Sequence, residues 1–256
     1  MSQARLLLRQ VVFTNRAFWR NPASAFFTFG FPLILLVIFT ALFGNDTGRL
    51  AGKTITGASF YVPAMAAFGV VTACYTNVAI TVTFQRDAGI LKRVAGTPLP
   101  RWIYLGGRVI HAMGVALTLV IVCLVFGAVF YGAEVPTVAS SLELILGLLV
   151  GGASFAALAL AGTTIVPNAD AAPAIVNATI LPVLFLSNVF INTAQAPDWV
   201  KWIGEVFPVE HFAEALQASV LPQVVAWRWS DVLIVALWGL LGSLVAMRRF
   251  RWEPRR

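Results

Sequence analysis

Two histidines, two cysteines and a serine set among glycines are the side chains of this 256-residue sequence whose types could support nucleophilic, acid–base or metal chemistry. None stands at the spacing such chemistry needs. His211 lies in E-H-F-A-E with Glu214 three residues on, but a zinc-binding helix needs a second histidine one turn away, and the motif lacks it. The pair reads instead as a solvated polar face. Ser154, in G-G-A-S-F-A, has no following glycine, and the last apolar segment offers no histidine to activate it. His111 stands alone at the edge of an apolar run. Cys74 and Cys123 fall inside apolar runs, where a thiol behaves as a small hydrophobe, so neither redox chemistry nor metal binding is indicated. No G-x-x-x-x-G-K-[ST] occurs, so the chain does not cradle ATP phosphates by itself. If it pumps, a partner brings the nucleotide. No catalytic residue, metal ligand or bound cofactor is expected.

The richest polar stretch in the interior of the chain is F-Q-R-D-A-G-I-L-K-R-V-A-G-T-P-L-P, residues 84–100. One acid, Asp87, stands among Arg86, Lys92 and Arg93, without His or Cys. R-D-A-G-I-L-K-R-V can form a short helix whose Ile90, Leu91 and Val94 make an apolar side, and G-T-P-L-P stops it. A short helix of mixed faces, joined rigidly to a longer one, is built to lodge in a groove on another protein. The stretch is expected to dock, not to catalyse. The alternative is an interfacial loop holding lipid headgroups.

The elements around it are apolar. The chain is 59 % hydrophobic and 11 % charged, with a mean hydropathy of +0.83, outside the balance of soluble proteins. Crossing a hydrocarbon core of about 30 Å takes roughly 20 apolar residues, and six segments qualify, at about 24–43, 58–83, 108–131, 141–165, 172–190 and 231–247. No stretch long enough for a large soluble domain is left between them, and no cleavage site follows the first, so the N-terminus is expected to remain. Six spans put both termini on one side. That side holds Arg5, Arg9, Arg16, Arg20, Arg86, Lys92, Arg93, Arg101, Arg108 and the C-terminal arginines, fourteen of the eighteen cations, which marks it as cytoplasmic. A pI near 10 therefore reflects topology and anionic lipid, not nucleic acid.

Several segments carry further signals. Arg5, Arg9, Arg16 and Arg20 share one helical face opposite Leu7, Val11 and Phe18, the pattern of an amphipathic helix lying in the interface. In the second span Gly69, Thr72, Thr76 and Thr83 form a stripe with Asn77 beside it, favouring helix packing and, secondarily, a substrate path. Gly147, Gly151 and Ser154 make a small-residue face on the fourth span. The fifth is rich in breakers and amides, with Pro173, Pro182, Asn177, Ser187 and Asn188, and is expected to face protein or a cavity. Residues 191–230, with Trp199, Trp202, Trp227 and Trp229, read as two short amphipathic helices broken at Pro208, a re-entrant or surface hairpin on the outer side. No ionisable group lies deep in any span, which argues against an ion-coupled transporter.

The 84–100 loop resembles the signature of ABC-2 type transporter membrane subunits, close to R-E-x-G-T-L-K-R-L-x-x-T-P-L. Arg86, Gly89, Leu91, Lys92, Arg93, Thr97, Pro98 and Leu99 match; Asp87 replaces Glu, and Ile90 replaces Thr. The 197–216 run is similar to the same family's outer segment, with Phe207-Pro208 at its Asn-Pro position. The resemblance implies an all-α membrane protein: six transmembrane helices, an N-terminal interfacial helix, a cytoplasmic coupling helix and an outer re-entrant hairpin, making one domain over residues 1–256. It implies a homodimer in the plasma (inner) membrane, seamed by spans one and five and served by separately encoded subunits that bind ATP and Mg. Arg86, Asp87, Gly89, Leu91, Lys92, Arg93, Thr97 and Pro98 would dock to that ATPase, with a second contact through Asn168 and Asp170. The hairpin, with Trp199, Trp202 and Pro208, would cap a path for a drug, lipid or lipid-linked glycan, to which Thr72, Thr76, Asn77, Asn177, Ser187 and Asn188 are candidates to contribute polarity. A non-transporting scaffold, a secondary transporter and a membrane enzyme remain the alternatives.

Overall fold

The computed structural model describes residues 2–44, 47–50, 53–187, 189–190 and 197–253. Local chemistry sets most helix ends. Helix α1 (Gln3–Trp19) gives way to α2 (Pro22–Phe43) at Asn21, whose side chain accepts from Ser24 N at 3.2 Å, with Pro22 fitted to the first turn. An antiparallel ribbon, β1 (Thr47–Leu50) and β2 (Lys53–Thr56), fills a connection expected as a plain loop. Thr56 then caps α3 (Gly57–Val71), which continues through a π-turn (Thr72–Thr76) into α4 (Asn77–Asp87). Gly89, at φ 70°, turns the chain into the short α5 (Ile90–Ala95); only a residue without Cβ takes that angle freely.

Helix α6 (Arg101–Tyr131) ends at Gly132, again left-handed at φ 62°. A reciprocal capping box between Thr137 and Ser140 starts α7 (Val138–Gly162). Then follow α8 (Ala172–Leu186), α9 (Asp198–Val206), α10 (Pro208–Val220) and α11 (Trp229–Arg249).

Among the described residues, five helical stretches are long and apolar enough to cross a bilayer: Pro22–Phe43, Gly57–Asp87, Arg101–Tyr131, Val138–Gly162 and Trp229–Arg249. The chain is therefore a multi-pass membrane protein. The sixth expected span, 172–190, differs. Its helix, Ala172–Leu186, has 15 residues, about 22 Å at 1.5 Å per residue, and residues 188 and 191–196 beyond it lie outside the described residues. Ser187 turns extended there, and its hydroxyl bonds back to the Val183 carbonyl at 2.6 Å.

The bundle has two chemically distinct ends. The basic end collects α1, α5, the 163–171 turn and the C-terminal arginines. The hairpin end collects the ribbon, α9 and α10, with Lys53 Nζ donating to the Gln223 carbonyl. At the centre α3 is buried nearly throughout. Small residues set the closest approaches. A Cβ on Gly239 of α11 would lie 2.2 Å from Ser154 Oγ, and one on Gly69 would lie 2.0 Å from Leu119. Ser154 is thus a packing contact of α7 with α11.

Candidate coupling and substrate site

Arg86, at the end of α4, is buried, and its guanidinium reaches across to the other loop of the basic end. Its Nη1 donates to the Thr163 carbonyl at 2.8 Å, and its Nη2 to the carbonyls of Val166 and Pro167 at 2.8 and 3.2 Å. Asp87 Oδ1 stands 3.7 Å from Arg86 Nε, while its Oδ2 accepts from Ala169 N at 2.6 Å. Two adjacent side chains therefore clamp the turn between α7 and α8. A planar fork serves three carbonyls from two nitrogens, where an ammonium would have to serve them from one.

The clamp leaves the next residues outward. Gly89 makes the turn, Leu91 plugs fully into the core, and Lys92 and Arg93 stand exposed on α5, Lys92 beside Glu253 at 3.4 Å. Thr97 closes the far end: its hydroxyl donates to the Val94 carbonyl at 2.7 Å and accepts from Leu99 N at 3.4 Å, with Pro98 exposed beside it. Asn168 accepts from Ala171 N at 2.9 Å, just before α8, and Asp170 is exposed next to it. All ten candidate docking residues thus lie at one end. Within that set, Arg86, Asp87 and Leu91 face the protein itself.

A cavity of about 650 Å³ lies between α7, α8 and α11. Its wall is mostly aliphatic and aromatic, relieved by the hydroxyls of Tyr75, Thr164 and Thr179, with Phe207 and Pro208 toward the hairpin end and Arg248 and Arg249 at the basic end. The π-turn brings Tyr75 to this wall, where its hydroxyl meets Thr179 Oγ1 at 3.0 Å; such turns recur at functional positions. The hydroxyl stripe of the sequence lies elsewhere. Thr72 bonds back to the Phe68 carbonyl at 2.9 Å, and Asn77 joins Thr28 of α2 at 3.2 Å and Thr81 at 3.1 Å. Thr76 and Asn177 are half-buried and Ser187 is buried, and none of these five lines the large cavity. Asn188 lies outside the described residues.

At the hairpin end the structure departs most from sequence expectation. α10 is no surface helix: twelve of its thirteen residues are buried. Its Phe212 fills the notch of Gly151, where a Cβ would lie 2.2 Å from the ring, and stacks edge-on to Phe155 at 5.2 Å. α9 stays outside, with Trp199 62 % and Trp202 68 % exposed, as suits interfacial indoles. Pro208 starts α10 after an extended Phe207 and is buried at the hinge.

His211 is no solvated side chain either. Nδ1 lies 2.9 Å from Asp231 Oδ1 and Nε2 lies 2.8 Å from the Glu205 carbonyl. Both partners are oxygen acceptors, so both nitrogens donate in the protonated ring. The Asp231 hydrogen bond holds the His211 pKa above its usual value, against burial. Arg228 donates to Asp231 Oδ2 at 2.9 Å and to Glu214. His211, Glu214 and Asp231 place donor atoms within 4.8 Å of one another, close enough for a metal ion. Arg228 and His211 already partner both carboxylates, so the geometry is a closed hydrogen-bonded cluster. Asp231 and Arg228 stand twenty and seventeen residues from His211, a separation carrying no helical periodicity. The signal was absent from E-H-F-A-E itself.

Beside this cluster Glu210 is 7 % exposed and its Oε2 has no hydrogen-bond partner among the described residues; burial pushes its carboxyl up to about 7.

The family model for ABC-2 type transporters matches residues 5–221, from the first basic helix to the end of α10. The chain belongs to the ABC-2 type transporter family. It is similar to "Daunorubicin resistance ABC transporter permease protein DrrB1" of Streptomyces coeruleorubidus, 27 % identical over 227 residues, covering 86 % of this chain and 77 % of that protein. It is also similar to "Putative transport permease ycf38" of Porphyra purpurea, 24 % identical over 236 residues and covering 91 % and 79 % of the two chains. The namesake from Pyropia yezoensis is 24 % identical over 235 residues, covering 90 % and 78 %. This ABC transporter membrane subunit thus belongs to a family of transport permeases, which generally work with a separate ATP-binding subunit.

Proposed function

We propose that this chain is the permease of an exporter that moves a hydrophobic or amphiphilic substrate, such as a drug, lipid or lipid-linked glycan, out of the cytoplasm. A homodimer in the plasma membrane, both termini cytoplasmic, is driven by ATP and Mg held on a separately encoded ATPase. The observation that carries the reading is the clamped α5. Its anchor, Leu91, is buried, its cations Lys92 and Arg93 point outward, and Arg86 and Asp87 tie its base to the α7–α8 turn. A push on α5 therefore reaches α4, α7 and α8 together, and α7 and α8 wall the large cavity. The apolar lining with three hydroxyls suits amphiphilic cargo.

The test is co-expression of the tagged chain with candidate ATP-binding subunits, purification in mild detergent, and measurement of retained ATPase activity. A Lys92→Glu/Arg93→Glu variant changes only exposed side chains. The reading expects the native chain to retain an ATPase and this variant to lose it while remaining folded and dimeric. Equal retention by both would remove α5 as the docking element, and retention by neither would remove ATP coupling.

A further inference from the structure

A second buried arginine at the basic end lacks the compensation Arg86 has. Arg108 of α6 is 8 % exposed. It donates to Gln85 Oε1 and to the Tyr104 hydroxyl at 3.1 Å, and its carbon Cζ lies 5.0 Å from the Tyr104 ring centroid. Those partners are neutral. No carboxylate pairs with it among the described residues, and its Nε has no hydrogen-bond partner. Buried charges are ordinarily paired, because taking an ion out of water costs several kcal/mol that only an opposite charge offsets.

Arg108 lines a cavity of about 210 Å³ beneath α1, walled also by α2, α4 and α6. Thr14, Asn21, Ser24, Asn77, Thr81 and Gln85 supply neutral donors and acceptors on that wall, and no acid does. The space equals about seven waters at ~30 Å³ each, room for one phosphoester. The wall includes Phe13 and Phe18 of α1, Phe13 exposed beside Arg5, Arg9, Arg16 and Arg20 and Phe18 buried on the opposite face of the helix. An amphipathic helix of this kind lies at headgroup depth.

We propose that this cavity binds the phosphate of an anionic membrane phospholipid, Arg108 supplying the counter-charge and the acyl chains leaving past Phe13 and Phe18. The shared chemistry is a phosphate anion. The apolar rim and interfacial depth assign it to lipid and not to free phosphate. The site is separate from the large cavity and does not depend on what the protein transports. It would make the seating of α1 on α2 and α6 conditional on anionic lipid.

The full chain, purified and delipidated in a neutral detergent, is titrated with phosphatidylglycerol, phosphatidylcholine or inorganic phosphate while melting temperature and, by native mass spectrometry, bound adducts are followed. Phosphatidylglycerol is expected to bind and to raise the melting temperature, and phosphatidylcholine to do neither. Arg108→Gln is expected to weaken phosphatidylglycerol binding about tenfold or more, the loss of one charge-assisted phosphate contact. In detergent alone this variant should melt no lower than wild type, since it no longer buries an unpaired charge. Ala17→Trp, which narrows the mouth and leaves Arg108 in place, should weaken binding as well, and it carries the test if Arg108→Gln does not fold. Phosphatidylglycerol binding unchanged in both variants, or equal binding of phosphatidylcholine, overturns the site. Protection by inorganic phosphate equal to that by phosphatidylglycerol overturns the assignment to lipid.

Discussion

Arg86→Met separates two roles for the same arginine. Its place in the loop signature points to the ATPase, whereas its contacts point inward. Methionine keeps much of the volume and none of the donors. The substitution leaves the carbonyls of Thr163 and Val166 without their 2.8 Å partner and Asp87 without its neighbouring cation. An unsatisfied buried acceptor costs about 1–3 kcal/mol, so two give about 2–6 kcal/mol. In a chain of this size each kcal/mol moves the melting temperature by about 2–4 °C, so a drop of about 4–24 °C is expected. The loss should be local as well. Amide exchange should accelerate across 163–171, the segment the fork holds. Arg86→Lys should fall between, because one nitrogen must then serve the carbonyls that the guanidinium meets with two. The assay is thermal unfolding of the purified permease without ATPase, paired with hydrogen exchange. If Arg86→Met leaves both unchanged yet loses the ATPase subunit on co-purification, the clamp reasoning is wrong and Arg86 is a docking contact.

Two further perturbations probe the hairpin end. Because burial raises the Glu210 pKa to about 7 from an ordinary 4.5, the folded state holds its proton where the unfolded state has released it, so stability falls as pH rises from about 4.5 through 7. From pH 5 to pH 8 that loss is about 2 kcal/mol at 1.36 kcal/mol per pH unit, and the raised His211 pKa acts with the same sign above it; Glu210→Gln should flatten most of the decline in melting temperature over that range, and an unaltered slope would remove Glu210 as its source. Gly151→Val should cost at least the ~1–3 kcal/mol of an overpacked core, since its Cβ would meet the Phe212 ring at 2.2 Å, and Phe212→Ala in the same chain should recover part of the lost melting temperature if that contact is the cause.

What the sequence disclosed follows from which interactions are local. Apolar run length locates the five crossing helices because each buries its own backbone, and periodicity places α1 because four arginines sit on one face. The clamp is different. Asp87 and Arg86 were visible as a charged pair, but their partners are the main-chain groups of residues 163–169, and a carbonyl carries no residue-type signature. The cluster around His211 failed for a related reason: each contributor is unremarkable in its own segment, and only the burial of α10 among α3, α7 and α11 brings Asp231 and Arg228 to the imidazole. The small residues at Gly147, Gly151 and Ser154 did announce a close approach. They did not say to what: Phe212 of α10 takes the place of Gly151's missing side chain, and Gly239 of α11 faces Ser154. A notch is written in one segment, but its occupant is chosen by the fold. Hence the basic end, where the cations of α5 are local and exposed, was legible in kind, while the hairpin end, built from buried contacts between distant segments, emerges only from the three-dimensional arrangement.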